Sequence, residues 1–142
     1  MEFIVKDFAQ ISKFELYEVL KARSQIFIVE KKMNCLDLDG MDFQAKHFLL
    51  KDNGKLIAYL RGLEDGEWYK LGRIISVTHG LGHGKILMEK ALRYIKDNIS
   101  QNKVYINAQY DAVAFYEKCG FVPVGDEFIE ENVRHRRMEQ RY

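Results

Sequence analysis

Between residues 48 and 77, three apolar runs (FLL, LIAYL and WYKLGRIISV) are separated by two glycine-bearing turns, KDNGK and GLEDGEW. Asn53-Gly54 is the dipeptide a two-residue hairpin favours, because both of its turn positions take positive φ. The segment predicts an antiparallel meander of three strands, which needs helices to cover its apolar faces. The flanking sequence supplies them. From Ser12 onward, Leu16, Val19, Leu20, Ile26 and Phe27 recur at helical spacing. Further on, Ile86, Leu87, Met88, Ala91, Leu92, Ile95 and Ile99 mark a helix with a wide apolar stripe. Phe3 to Val5 reads as a short strand, VYINA as another, and DAVAFYEKC as a short helix stopped by Gly120. FVPV and the closing VRHRRMEQRY complete the order β-α-β-β-β-α-β-α-β-β. This is an α+β chain: a mixed, mainly antiparallel sheet flanked by helices, in one domain spanning 1–142.

A chain of 142 residues with 47% hydrophobic and 13% aromatic side chains can bury a core without staples. Its 22 basic and 21 acidic side chains leave a net charge of +1, which gives no electrostatic reason to expect nucleic acid or an anionic membrane as partner. The N-terminal MEFIVKDFAQ lacks a basic-then-apolar signal pattern and no apolar run reaches membrane length, so a cytoplasmic location is expected. Cys35 and Cys119 lie far apart without metal-ligand spacing and read as reduced, partly buried thiols.

The meander ends in THGLGHGKI, with Gly80, Gly82 and Gly84 at alternate positions ahead of the second long helix. A helix N-terminus offers unpaired amides and partial positive charge, and glycines let an anion approach the backbone closely. The same glycines could serve a tight turn alone. The P-loop pattern fails, because Ile86 follows Gly84-Lys85 and no glycine stands at position 79. The dinucleotide fingerprint fails on spacing, G-x-G-x-G in place of G-x-G-x-x-G.

HGLGHG resembles the Q/R-x-x-G-x-G/A signature with which the GNAT family of N-acetyltransferases holds the pyrophosphate of acetyl-coenzyme A, with His79 in place of the usual Gln or Arg. Downstream, QYDAVAFYEKCGF resembles that family's N-x-x-A-x-x-x-Y-x-K-x-G-F segment, with Gln109 in place of Asn. RSQIFIVE, LDLDGMD ahead of His47, and Val133-Arg134-His135 are similar to the ElaA-type branch. The motifs stand in the family's order, and the element order is similar to its fold.

The resemblance implies an acetyl-CoA-dependent N-acetyltransferase that moves an acetyl group directly to a primary amine, with acetyl-CoA as co-substrate and no metal. It implies cofactor contacts from Ile74, Ile75, Ser76, Val77, His79, Gly80, Leu81, Gly82, His83, Gly84, Lys85 and Gln109, and from Tyr116, which stands where the family's general acid stands. A phenol of pKa about 10 suits donation to a thiolate of about 8.5. Tyr116 also shares a helix face with Ala112, Phe115 and Cys119, which a core stripe would equally explain. Glu30, Glu131 and His135 are candidates for the base. The partners implied are a small-molecule or peptide amine and, through the last strands, a second copy. A non-catalytic acyl-CoA binding module is the rival, and Tyr116 distinguishes the two.

Four features lie outside that pattern. Arg23 follows Leu16 by seven residues on an apolar face, from which it either snorkels or reaches inward to a carboxylate or ligand. Asp37-Leu-Asp39-Gly-Met-Asp42 fails as a calcium loop on its glycine position and its missing Glu. It reads as a wall for a cationic acceptor or as a loop fixed by Asx-type bonds. His47 reads as a structural hydrogen-bonder. Arg134, Arg136, Arg137 and Arg141 read as a solvated strand face.

Overall fold

The computed structural model describes residues 1–140; Arg141 lies outside them. The elements follow the expected order: β1 (Glu2–Asp7), α1 (Lys13–Arg23), β2 (Lys46–Asp52), β3 (Lys55–Asp65), β4 (Trp68–Ser76), α2 (His83–Asn98), β5 (Lys103–Gln109), α3 (Val113–Lys118), β6 (Phe121–Glu130) and β7 (Val133–Gln140). α1 starts at a reciprocal cap, with the Glu15 amide donating to Ser12 Oγ at 3.1 Å and the Ser12 amide to Glu15 Oε1 at 3.2 Å. It runs on into a wider π-helical segment, Ser24–Glu30.

Among the described residues the strands form one seven-stranded sheet in the order β1-β2-β3-β4-β5-β7-β6. All neighbours are antiparallel except β4 and β5. Asn53 and Gly54 take φ of 51° and 76°, as their hairpin requires. Alternation along the strands divides the apolar side chains between two faces. Phe48, Leu50, Leu60, Leu71, Ile106 and Met138 pack beneath α2 and α3, whereas Leu49, Tyr59 and Ile75 pack beneath α1 with Val19 and Ile26. Both faces of the central strands are therefore covered, which is why their sequences read as continuous apolar runs. α2 contributes Leu87, Met88 and Ile95, each fully buried and worth about 1.5–3 kcal/mol of transfer free energy. No described helix is long and apolar enough to cross a membrane.

Two irregularities shape the sheet centre. β3 and β4 pair Tyr59 with Ile75 and then Arg61 with Gly72, so Arg73 and Ile74 together oppose Leu60 in a β-bulge. Arg73 takes φ 50° there, a left-handed conformation costing a non-glycine residue about 1–2 kcal/mol. Beyond the bulge β4 parts from β5: their parallel pairing runs from Trp68↔Lys103 to Leu71↔Ile106 and stops. A cleft of about 310 Å³ opens where the two strands separate.

Candidate active site

Val77, just past the end of β4, donates its amide to Ile57 O at 2.9 Å. Peptide groups alternate in direction along a strand, so the amides of Ser76 and Ile74 face the edge that β5 has vacated. That edge carries unpaired donors at the floor of the cleft, directly ahead of α2. The amides of Ile75 and Val77 face β3 instead.

The loop into α2 is shaped by its glycines. Gly80 and Gly82 take φ of 82° and 74°, and a side chain at either would meet nothing within 4 Å. Gly84 is required for closeness: a Cβ there would lie 3.0 Å from Ser76 Oγ and 3.4 Å from the Phe115 ring. Gly82 is the N-cap, makes no side-chain cap, and its carbonyl receives the Ile86 amide at 3.2 Å. The first-turn amides of His83, Gly84 and Lys85 precede that first helical bond and have no acidic side chain in the turn to cap them. Sixteen residues of helix dipole stand behind them. His79 and Leu81 project from the same loop and are exposed, and His79 Nε2 lies 2.9 Å from Glu30 Oε2.

The cleft walls come from both sheet faces. Tyr116 of α3 lies on the α2–α3 side, 8% exposed, against the Phe115 and Phe121 rings. Burial, with the charges of Cys119 and Asp111, pushes its phenol well above 10.0. No described residue hydrogen-bonds its hydroxyl, and the side chain lines the cleft. His135 of β7 stands opposite Gln109 on the other face, 5% exposed and stacked on Phe128 at 5.8 Å. Its Nδ1 lies 2.8 Å from Val133 O. A carbonyl can only accept, so Nδ1 carries the proton of the neutral ring and Nε2 presents a lone pair, 3.8 Å from Glu130 Oε2.

Glu130↔Val133 closes a two-residue hairpin whose turn, Glu131-Asn132, takes φ of 51° and 59°. That turn brings Glu130 and Glu131 to the cleft beside His135. Gln109, at the end of β5, accepts from Lys31 Nζ at 3.0 Å. Of the expected base residues, Glu131 and His135 line the cleft; Glu30 is not among its lining residues.

The acidic loop is held by arginines. Arg23, fully buried, reaches inward: its Nη1 donates to Asp42 Oδ1 at 2.7 Å and its Nε to Asp37 Oδ2 at 3.0 Å. Arg61 donates to Asp39 at 2.6 and 2.9 Å and to Asp42 at 3.0 Å, and Arg73 Nε lies 2.7 Å from Asp37 Oδ1. The Met41 amide closes an Asx turn on Asp39 Oδ1 at 3.0 Å. Hydrogen bonds from Arg61 hold the Asp39 carboxyl far below its ordinary range against the cost of burial. Asp37 and Asp39 wall the cleft while being paired with the chain's own cations.

Behind them His47 donates Nε2–H to Asp42 O at 2.9 Å and accepts at Nδ1 from Tyr59 Oη at 2.6 Å, the only tautomer a carbonyl partner permits. The described arginines of β7 are likewise engaged: Arg134 with Glu127, Arg136 with Gly125 O, and Arg137 with Glu139 and the Tyr105 ring.

Sequence reasoning did not single out Arg61, Arg73, Cys35 or Glu130 as cleft residues. Arg73 arrives through the bulge and Glu130 through the hairpin turn, neither with a local sequence signature, while Arg61 comes from β3 and Cys35 from the loop before β2.

A parallel pair that separates above a glycine-rich helix N-terminus, with polar groups entering from both faces, makes a cleft with a ready anion site at one end. Residues 15–142 match the acetyltransferase (GNAT) domain family, and the chain belongs to it. It is 32% identical over 134 residues to protein ElaA of Escherichia coli strain K12, covering 89% of this chain and 88% of that protein. A UPF0039 protein of Schizosaccharomyces pombe is 31% identical over 143 residues, 97% of this chain and 95% of its own. The crystal structure of Escherichia coli ElaA superposes with a TM-score of 0.90 at 30% identity, over 99% of this chain and 100% of that one. That of an acyl-CoA N-acyltransferase from Pseudomonas aeruginosa gives 0.90 at 31% identity over the same shares. The enzyme is a GNAT acyltransferase of the ElaA-like branch.

Proposed function

We propose that residues 1–142 form a single N-acetyltransferase domain that moves an acetyl group from acetyl-CoA directly to a primary amine, with Tyr116 as proton donor and His135 as proton acceptor. The observation that carries this reading is that Tyr116 and His135 line one cleft from opposite sheet faces. Acetyl-CoA supplies the activated thioester. The first-turn amides of His83, Gly84 and Lys85, with the turn at Gly80 and Gly82, fit its pyrophosphate, because that backbone is uncapped and open. The outward amides of Ile74 and Ser76 suit an extended amide chain laid along β4, and one of them meets negative charge developing on the thioester oxygen.

On the acceptor side, His135 Nε2 takes the proton released as the amine nitrogen bonds to the acyl carbon. Glu130 and Glu131 stand beside His135 at the cleft. On the other side the carbon–sulfur bond breaks, and Tyr116 gives its proton to the departing thiolate. Burial keeps that phenol protonated throughout the neutral range. Transfer is direct because neither cysteine is activated. Burial raises Cys35 with help from Glu131 and Asp37, and burial raises Cys119.

Thiol release from acetyl-CoA across a panel of primary amines tests this. Turnover that requires an amine and yields the N-acetyl product supports it. Acetyl-CoA consumption with no acetylated amine would overturn it.

A further inference from the structure

We propose that the amine acceptor carries a carboxylate, held at a subsite made by Lys70, Gly72 and Asn107. This rests on the acetyltransferase reading and names the substrate class for that same cleft.

Tyr69 and Leu71 of β4 and Ile106 and Ala108 of β5 point into the buried core, so Lys70, Gly72 and Asn107 point to the opposite face, the one His135 occupies. Parallel pairing ends at Leu71↔Ile106, which leaves Gly72 and Asn107 facing each other where the strands part. All three line the cleft.

Lys70 is half-buried and has no partner among the described residues. The other cations of the cleft wall are engaged: Lys31 by Gln109, Arg61 by Asp39 and Asp42, and Arg73 by Asp37. The Asn107 amide is likewise half-buried and unpartnered among the described residues. Gly72 does not have a positive φ, and a Cβ there would meet nothing within 4 Å. Neither a positive φ nor a close contact requires a glycine beside the Arg73 bulge, and the vacant volume opens into the cleft.

An unpaired ammonium and a free amide beside an open floor complement a carboxylate. Two residues along β5, a strand distance of about 7 Å, Gln109 stands beside His135 with Glu130 and Glu131 at the rim. The acceptor that fits bears an amine at one end and a carboxylate a few carbons away.

The test uses matched probes titrated by NMR into protein saturated with coenzyme A: 4-aminobutyrate against n-butylamine, and L-lysine against 1,5-diaminopentane. The amino carboxylates are expected to bind at least tenfold more tightly than their partners. Lys70→Met should weaken them by roughly ten- to hundredfold, leaving the plain amines unchanged. Gly72→Ala, whose Cβ meets nothing within 4 Å, should weaken them as well. Amines binding as tightly as their carboxylate partners, a preference that survives Lys70→Met, or no binding of either amino carboxylate would each overturn the proposal. Calorimetry with coenzyme A alone separates the two levels: a folded protein that fails to bind it loses the acetyltransferase reading itself.

Discussion

Tyr116 and His135 line one cleft from opposite faces of the sheet, the tyrosine from α3 and the histidine from β7. The cleft exists because β4 leaves β5 just past Leu71, where the Arg73 bulge bends it. Tyr116 and His135 thereby enter the cleft from different sides of the sheet.

Tyr116→Phe should lower kcat roughly a hundredfold, in the range for loss of a positioned acid, while acetyl-CoA affinity changes little. His135→Gln should lower kcat comparably with acetyl-CoA affinity again preserved. Because burial pushes the Tyr116 phenol above 10.0, the kcat profile should show no fall from ionisation of this group below pH 10. Steady-state kinetics and calorimetry together check this; a wild-type rate in either variant removes that residue from the mechanism.

Asp42 is 8% exposed and accepts from both Arg23 and Arg61. Asp42→Ala removes one of the two carboxylates that each buried guanidinium meets, leaving Arg23 with Asp37 and Arg61 with Asp39, and should destabilise the protein by about 1–3 kcal/mol, read by chemical denaturation. Lys46→Ala, which breaks the exposed pair with Asp7, should cost under about 1 kcal/mol.

Arg73 combines strain with ion pairing, so two substitutions separate the effects. Both Arg73→Ala and Arg73→Gly lose the contacts to Asp37, but only glycine relieves the left-handed φ of 50°. The glycine variant should be about 1 kcal/mol more stable than the alanine variant. Equal stabilities would mean that the bulge stores no strain.

His47 gives the acid response. Burial lowers its pKa from 6.5; the carbonyl and charge of Asp42 oppose this, and the charges of Arg23 and Arg61 add to it. A group whose folded-state pKa is depressed stabilises the fold above its unfolded pKa. That stability is lost as pH falls from there through the folded value. Denaturation midpoints should therefore drop below pH 6.5, and His47→Gln should be less stable at pH 7.5 yet lose less between pH 7.5 and 5.5.

The order of elements was legible from local signals. Asn53-Gly54 can hardly be anything but a hairpin turn, and the stripe from Ile86 to Ile95 fixes α2. The glycine turn ahead of α2 was legible, because positive φ at Gly80 and Gly82 and close packing at Gly84 both demand glycine. The distribution of charge was not. Arg23 sits at a core position of a helix, and only folding reveals that it meets Asp37 and Asp42 across a long loop. Those bonds turn an apparent acceptor-attracting loop into a braced wall. The ends of Gln109 and His135 become neighbours through β5–β7 pairing, which no sequence spacing announces.

Calorimetric titration of the folded protein with acetyl-CoA tests the central claim most directly. Saturable binding in the micromolar range is expected. Gly82→Trp, whose side chain projects from the uncapped turn, should weaken it at least roughly tenfold while Tyr116→Phe leaves it intact. No saturable heat with the wild-type protein, or full binding by Gly82→Trp, would contradict the assignment of this turn as the cradle of the co-substrate.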